Sequence, residues 1–189
     1  MRRDQLEHAI RAACDVSGDT ELLVFGSQAI LGSHPLALGE LSLFHQTHGF
    51  YVHGVSIEAA ILPDGWDQRT VAVCDPEGTR GNTGHCLEAH DLAASKLVAD
   101  REKDRDFVVT LLLEGLIAGE ILLERVADLP VERDRRDSIS RWVRATLEDV
   151  GSAAISSGPR VCPKYSHGYY AVFFGDPGGN KLAVAHRTE

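Results

Sequence analysis

A chain of 189 residues with 43% apolar and 25% charged side chains is long enough to bury a core, which excludes disorder throughout. Its 28 acidic and 19 basic residues leave a net charge of −9, which works against a broad non-specific grip on nucleic acid. No apolar run approaches the roughly 18 residues of a membrane span, and MRRDQLEHAI lacks the apolar core of a signal peptide; a cytoplasmic protein without a membrane partner is expected.

Residues 4–16 place Leu6, Ala9, Ile10 and Ala13 at helical spacing with charges opposite, which predicts an amphipathic helix broken by Ser17-Gly18-Asp19. ELLVF (21–25) reads as a short buried strand; Gly26-Ser27 ends it, and QAILG can form a short helix. Residues 32–42 read as a loop, followed by strands at 50–56, 58–62 and 69–75, and PEGTRGNTG (76–84) reads as the loop that ends the sheet. From Leu87 the spacing turns helical through Leu92, Lys96 and Ala99, then Phe107, Leu111 and Leu112. Residues 117–129 continue the helical half, Pro130 stops it, and 138–150 supply one more helix ending at Gly151. AAISSGPR, GYYAVFFGDPGGN and KLAVAHR then read as strands joined by Gly- and Pro-rich turns. The fold class is α/β: a small mixed sheet with flanking helices over 1–86, a helical part over 87–150 and a β tail over 151–189.

The cysteines at 14, 74, 86 and 162 form no close pair and suit reduced thiols. Histidines 45, 48 and 53, and the group His85, Cys86, His90 and Asp91, invite a metal reading, with zinc at His85, Cys86 and His90, but neither set has a strong ligand signature. Arg2-Arg3 and Arg133, Arg135 and Arg136 are the only short basic runs, so contact with nucleic acid through a local stripe stays open.

A strand that ends in Gly26-Ser27 and leads into a helix can cradle a phosphate, because glycine lets a ligand approach the backbone and a helix start presents free N–H groups. The same turn also serves as a plain strand-to-helix connection. Around it, LLVFGSQAILGSHP, GELSLFHQTHGFYVHGVSIEAAILPDGWDQRTV and LEAHDLAASKLVADREKDRDFV resemble three successive blocks of an uncharacterised family within the nucleotidyltransferase superfamily. That family is similar in pattern to minimal nucleotidyltransferases and to the toxins of type IV abortive-infection systems, and the likeness spans residues 2–149.

The resemblance implies a transferase in which an Asp-x-Asp pair downstream of the Gly-Ser turn holds Mg²⁺, a hard cation that prefers oxygen ligands. Here no Asp stands between Ser27 and Asp64; Glu40 and Glu58 are the only carboxylates in that interval, and the acidic strand expected between Ser33 and Glu40 is missing. By the same resemblance Gly26, Ser27, Lys96, Arg101 and Asp104 are the nucleotide-binding candidates, with Lys96 and Arg101 on phosphate oxygens and Asp104 as orienting partner. Read without it, the charges of 96–106 are a solvated helix face laced with ion pairs.

SSGPRVCPKYSHGYYAVFFGDPGGNKLAVAHR resembles the closing strands of the glyoxalase-like, vicinal-oxygen-chelate family. The family's metal-binding Glu two residues after the Lys of Gly-Asn-Lys is Ala183 here. The leading expectation is a degenerate nucleotidyltransferase-family protein that binds a nucleotide or phosphate-bearing small molecule, with Mg²⁺ as cofactor only if it is active. The alternatives are a glyoxalase-like metalloprotein and a non-catalytic, toxin–antitoxin-type interaction protein; a protein partner, or a homodimer through an unpaired edge of the tail, belongs to these readings.

Overall fold

The computed structural model describes residues 2–36 and 60–150, and the backbone alone at 151–152 and in Ile155–Val161, Tyr169–Gly175 and Lys181–Arg187. The strand expected at 50–56, the three early histidines, Glu40 and Glu58 lie outside the described residues, as do Cys162 and the Asp176-Pro177 turn. The chain divides into two compact units, Met1–Val143 and Arg144–Glu189.

Helix α1 (Arg3–Ser17) buries Leu6, Ile10 and Cys14, spaced four apart on one face, and ends where Gly18 adopts φ 79° and returns its N–H to the Cys14 carbonyl. Strand β1 (Glu21–Val24) follows, then a 3₁₀ turn (Ser27–Ala29) that runs into the short helix α2 (Ile30–Ser33). A second 3₁₀ turn (Trp66–Arg69) precedes β2 (Val71–Cys74), and residues 60–62, expected at the end of a strand, carry no regular pairing before Pro63.

The main departure from the sequence reading is β3 (Thr83–Cys86), which occupies the middle of the sheet where a terminating loop was expected. It runs parallel to β1, with Leu22 opposite Gly84 and Val24 opposite Cys86, and antiparallel to β2, with Val73 opposite Gly84. A Cβ on Gly84 would lie 2.5 Å from Ile10 Cδ1, and one on Gly32 would lie 2.5 Å from Cys86 Cβ. Two glycines therefore let α1 and α2 settle on the same sheet face, which also carries Val71 and Val73. Alternation turns Ala72 and Cys74 to the other face, where both are exposed.

The helical half consists of α3 (Ala89–Ala99), α4 (Glu102–Leu113), α5 (Gly119–Ala127) and α6 (Arg133–Ser152). Small residues Ala89, Ala93 and Ala94 on α3 let α4 and α5 pack closely beside Leu92 and Leu97. Phe107, Val108, Leu111, Leu122, Val126, Ile139 and Val143 complete this core. The helical run breaks at Asp100, which holds φ 56°, a left-handed conformation that Asp tolerates better than most residues. In the second unit β4 (Ile155–Val161), β5 (Tyr169–Gly175) and β6 (Lys181–Arg187) form an antiparallel meander. Its register sets Tyr170, Val172 and Phe174 opposite His186, Val184 and Leu182 on one face.

Candidate functional site

Because β1 and β3 are parallel, their carboxyl ends meet at one sheet edge, and the Leu87 N–H donates to the Val24 carbonyl at 2.9 Å to tie the two exits together. β1 leaves this edge through Gly26-Ser27. Gly26 is extended and exposed, with open space where a Cβ would stand, and its carbonyl accepts the Ala29 N–H at 2.8 Å. Buried Ala29, Ile30 and Leu31 anchor the turn from below, and the 3₁₀ turn and α2 both pack against α3. The carboxyl edge of parallel strands is where open α/β sheets place ligands, and here it exposes backbone and the half-buried Ser27.

β3 leaves the same edge through Leu87 into the cap of α3. Glu88 Oε2 accepts the His90 and Asp91 N–H groups at 2.9 and 3.3 Å, and Glu88 Oε1 lies 2.7 Å from His90 Nδ1. His90 Nε2 in turn accepts the Ala118 N–H at 2.9 Å, which puts the ring proton on Nδ1, facing Glu88. Burial alone would push the Glu88 carboxyl up, but the His90 ring and the two backbone N–H groups outweigh it and hold the group below its ordinary range.

One residue on, the fully buried Asp91 receives Arg69 in a two-pronged pair, Nε to Oδ2 at 2.8 Å and a terminal nitrogen to Oδ1 at 2.9 Å. Arg125 Nε stands 3.4 Å from Oδ1. Sequence reasoning grouped Asp91 with His85, Cys86 and His90 as a metal candidate and picked out neither Arg69 nor Arg125; nothing in one sequence pairs Asp91 with arginines 22 and 34 residues away.

Three of the expected site residues form one ion cluster at the other end of α3. Lys96 Nζ donates to Asp104 Oδ1 at 2.8 Å, and Arg101 Nε donates to Oδ2 at 2.5 Å. Asp104 is 2% exposed, and although burial alone would raise its carboxyl, the hydrogen bonds from Lys96 and Arg101 hold it below the ordinary carboxylate range. Lys96 is 13% exposed, with its ammonium 5.0 Å from the centre of the Phe107 ring, whereas Arg101 is 61% exposed. Lys96 lies about 10 Å along α3 from Ala89, the residue that opens the helix beside the strand edge. The expected candidates thus fall into two groups, Gly26 and Ser27 at the edge and Lys96, Arg101 and Asp104 at the α3–α4 junction.

A Mg²⁺ ion needs carboxylate oxygens that are not already spent. On α3 and its cap, Glu88 is engaged by His90 and the helix cap, and both oxygens of buried Asp91 face guanidinium groups. Among the described residues no group of His, Cys, Asp and Glu side chains is placed to hold a metal ion, so the described acids do not fit Mg²⁺. The zinc reading of His85, Cys86 and His90 meets a steric obstacle: His85 and Cys86 are strand neighbours on opposite sheet faces, and His90 is committed to Glu88 and Ala118. Burial pushes the Cys86 thiol up to about 11, away from the thiolate a metal requires.

No family model, no curated protein and no solved structure matches the chain. No helix among the described residues is long and apolar enough to cross a membrane.

Proposed function

We propose that this chain is a degenerate nucleotidyltransferase-family protein that binds a nucleotide or phosphate-bearing small molecule and has lost nucleotidyl transfer. The observation that carries the reading is the exposed Gly26-Ser27 turn at the carboxyl edge of the β1–β3 pair, with open space over the glycine for a phosphate to approach backbone N–H groups. In the separate cluster at the α3–α4 junction, Arg101 is the cation that faces solvent and can meet an outlying phosphate rather than one held at the Gly26-Ser27 turn; Lys96 serves mainly to neutralise Asp104, and Asp104 holds the Arg101 guanidinium in place. The lack of any Asp between Ser27 and Asp64 and the engagement of Glu88 and Asp91 support the loss of transfer.

The test is a thermal-shift series with ATP, GTP, CTP and UTP, with and without Mg²⁺, alongside a labelled nucleotide-transfer assay. A saturable shift that needs no Mg²⁺, together with absent transfer, is the expected result. Clear transfer with Mg²⁺ or Mn²⁺ overturns the degenerate reading, and no shift with any nucleotide overturns binding. Replacing Gly26 with Val fills the open space over the turn and is expected to abolish the shift while the far-ultraviolet circular dichroism stays unchanged.

A further inference from the structure

A second cluster of guanidinium groups lies beyond the α3–α4 junction and is independent of the Gly26-Ser27 reading. Asp100 closes α3 in its left-handed conformation and presents its carboxylate between two arginines. Arg105 approaches from α4, donating through Nε to Asp100 Oδ1 at 2.8 Å and through a terminal nitrogen to the same oxygen. Arg135 approaches from α6, with one terminal nitrogen 3.1 Å from Asp100 Oδ2 and 3.1 Å from the Val98 carbonyl. The rest of the Arg135 donor fork takes no part in either bond.

On α6 the spacing of Arg135, Ser138, Ile139 and Trp142 puts all four on one face, and with Leu97, Asp100 and Arg105 they line a small open pocket. The Arg105 guanidinium lies 5.9 Å from the Trp142 ring centre, a distance at which the indole face holds a cation in position. Two cations against one carboxylate leave the pocket with a net positive charge, a hydroxyl from Ser138 and an apolar wall. Arg105 and Arg135 remain 46% and 38% exposed, so the charge is open to a ligand. With Asp100 in place the pocket measures about 30 Å³, room for about two waters and far below the roughly 300 Å³ or more of a site for a whole small molecule.

We infer that Arg105, Arg135 and Ser138 form a binding site for a phosphoryl-type oxyanion, in which the Asp100 carboxylate is the resident occupant that an incoming anion displaces. A carboxylate and a phosphate offer the guanidinium fork the same paired oxygens, and phosphate carries the greater charge. Asp100 keeps the two arginines apart and aligned when no ligand is bound, so the site is pre-organised and its affinity is held down by an internal competitor.

The probe is inorganic phosphate at constant ionic strength, read by calorimetry on the full chain and by fluorescence of the Trp66→Phe variant, in which Trp142 is the one remaining tryptophan. Saturable heat and a saturable Trp142 signal are expected, absent when chloride replaces phosphate. Arg135→Gln and Arg105→Gln should each weaken binding about tenfold or more, and Ser138→Ala by a few-fold. The deciding variant is Asp100→Asn, since Asn tolerates the left-handed backbone and removes the competing charge. It should tighten phosphate binding about tenfold if Asp100 is a displaceable occupant. Phosphate that gives no saturable signal, or that binds Asp100→Asn no better than the parent, overturns the inference and leaves an ion-pair clamp. Adenosine and guanosine monophosphates in the same titrations separate the two sources of phosphate. A response lost with Arg135→Gln but kept in Gly26→Val belongs to this pocket, and one with the opposite pattern overturns it for nucleotides.

Discussion

The two ends of α3 use the same chemistry to opposite effect. At its amino end Asp91 is wholly buried, and Arg69 and Arg125 are drawn in around it, so the charges are spent on joining the turn before β2 to α5. At its carboxyl end Asp100 and Asp104 also collect guanidinium groups, yet Arg101, Arg105 and Arg135 keep a face in water. Asp104 is nearly as buried as Asp91, so the difference teaches that an arginine–carboxylate pair becomes structural when the cation is drawn in with its acid, and available for recognition when the cation keeps its exposure.

The largest expected effect tests the buried end. Asp91→Ala leaves two partly buried guanidinium groups without their acid and should cost about 3–5 kcal/mol in urea denaturation. A loss below about 1 kcal/mol would mean that water already satisfies those arginines and that the contrast fails. Lys96→Ala comes next: it removes one donor from the 2% exposed Asp104 and should cost about 1–3 kcal/mol, which makes Lys96 a poor pure binding probe.

A third test is acid titration. Glu88, Asp100 and Asp104 are all held below the ordinary carboxylate range, so their contribution to stability is fully present above the unfolded values near 4 and is lost as pH falls through the lower folded values. Stability followed by chemical denaturation should therefore decline below about pH 4, and Asp104→Asn should flatten the decline. A curve that is level from pH 5 to 2 would show that these pairs are not formed. The smallest change in stability is expected from Arg101→Ala, about 1 kcal/mol: it also removes a donor from Asp104, but its mostly exposed position lets water take its place, as the buried position of Lys96 does not. That variant should nonetheless weaken any nucleotide-induced thermal shift, and an unchanged shift would remove Arg101 from the proposed site.

Much of the secondary structure is legible from periodicity alone. The first helix with Leu6 and Ile10 turned inward, the ELLV strand and the Gly26-Ser27 turn stand where local patterning expects them, because each is fixed by short-range sterics or a single amphipathic face, although Cys14 rather than Ala9 or Ala13 completes the buried stripe. β3 is not legible in that way. Of Thr83, Gly84, His85 and Cys86 only Thr83 is a favoured strand residue, and Gly84 is there because Ile10 of another element needs its space. The break at Asp100 and the partners of Asp91 are equally non-local, since they depend on side chains brought together from α5, α6 and the turn before β2.

For the site, the sequence by itself determined which groups are on hand: a Gly-Ser turn after a strand, a run of alternating charges over 96–106, and no Asp between Ser27 and Asp64. Only the tertiary structure decided which of those charges are free to act. Lys96 and Arg101 look equivalent as letters five residues apart, but the first is turned onto the buried Asp104 and the second remains mostly in solvent. A charge pattern along a chain says nothing of burial, and burial sets whether an ion pair holds a fold together or can be exchanged for a ligand.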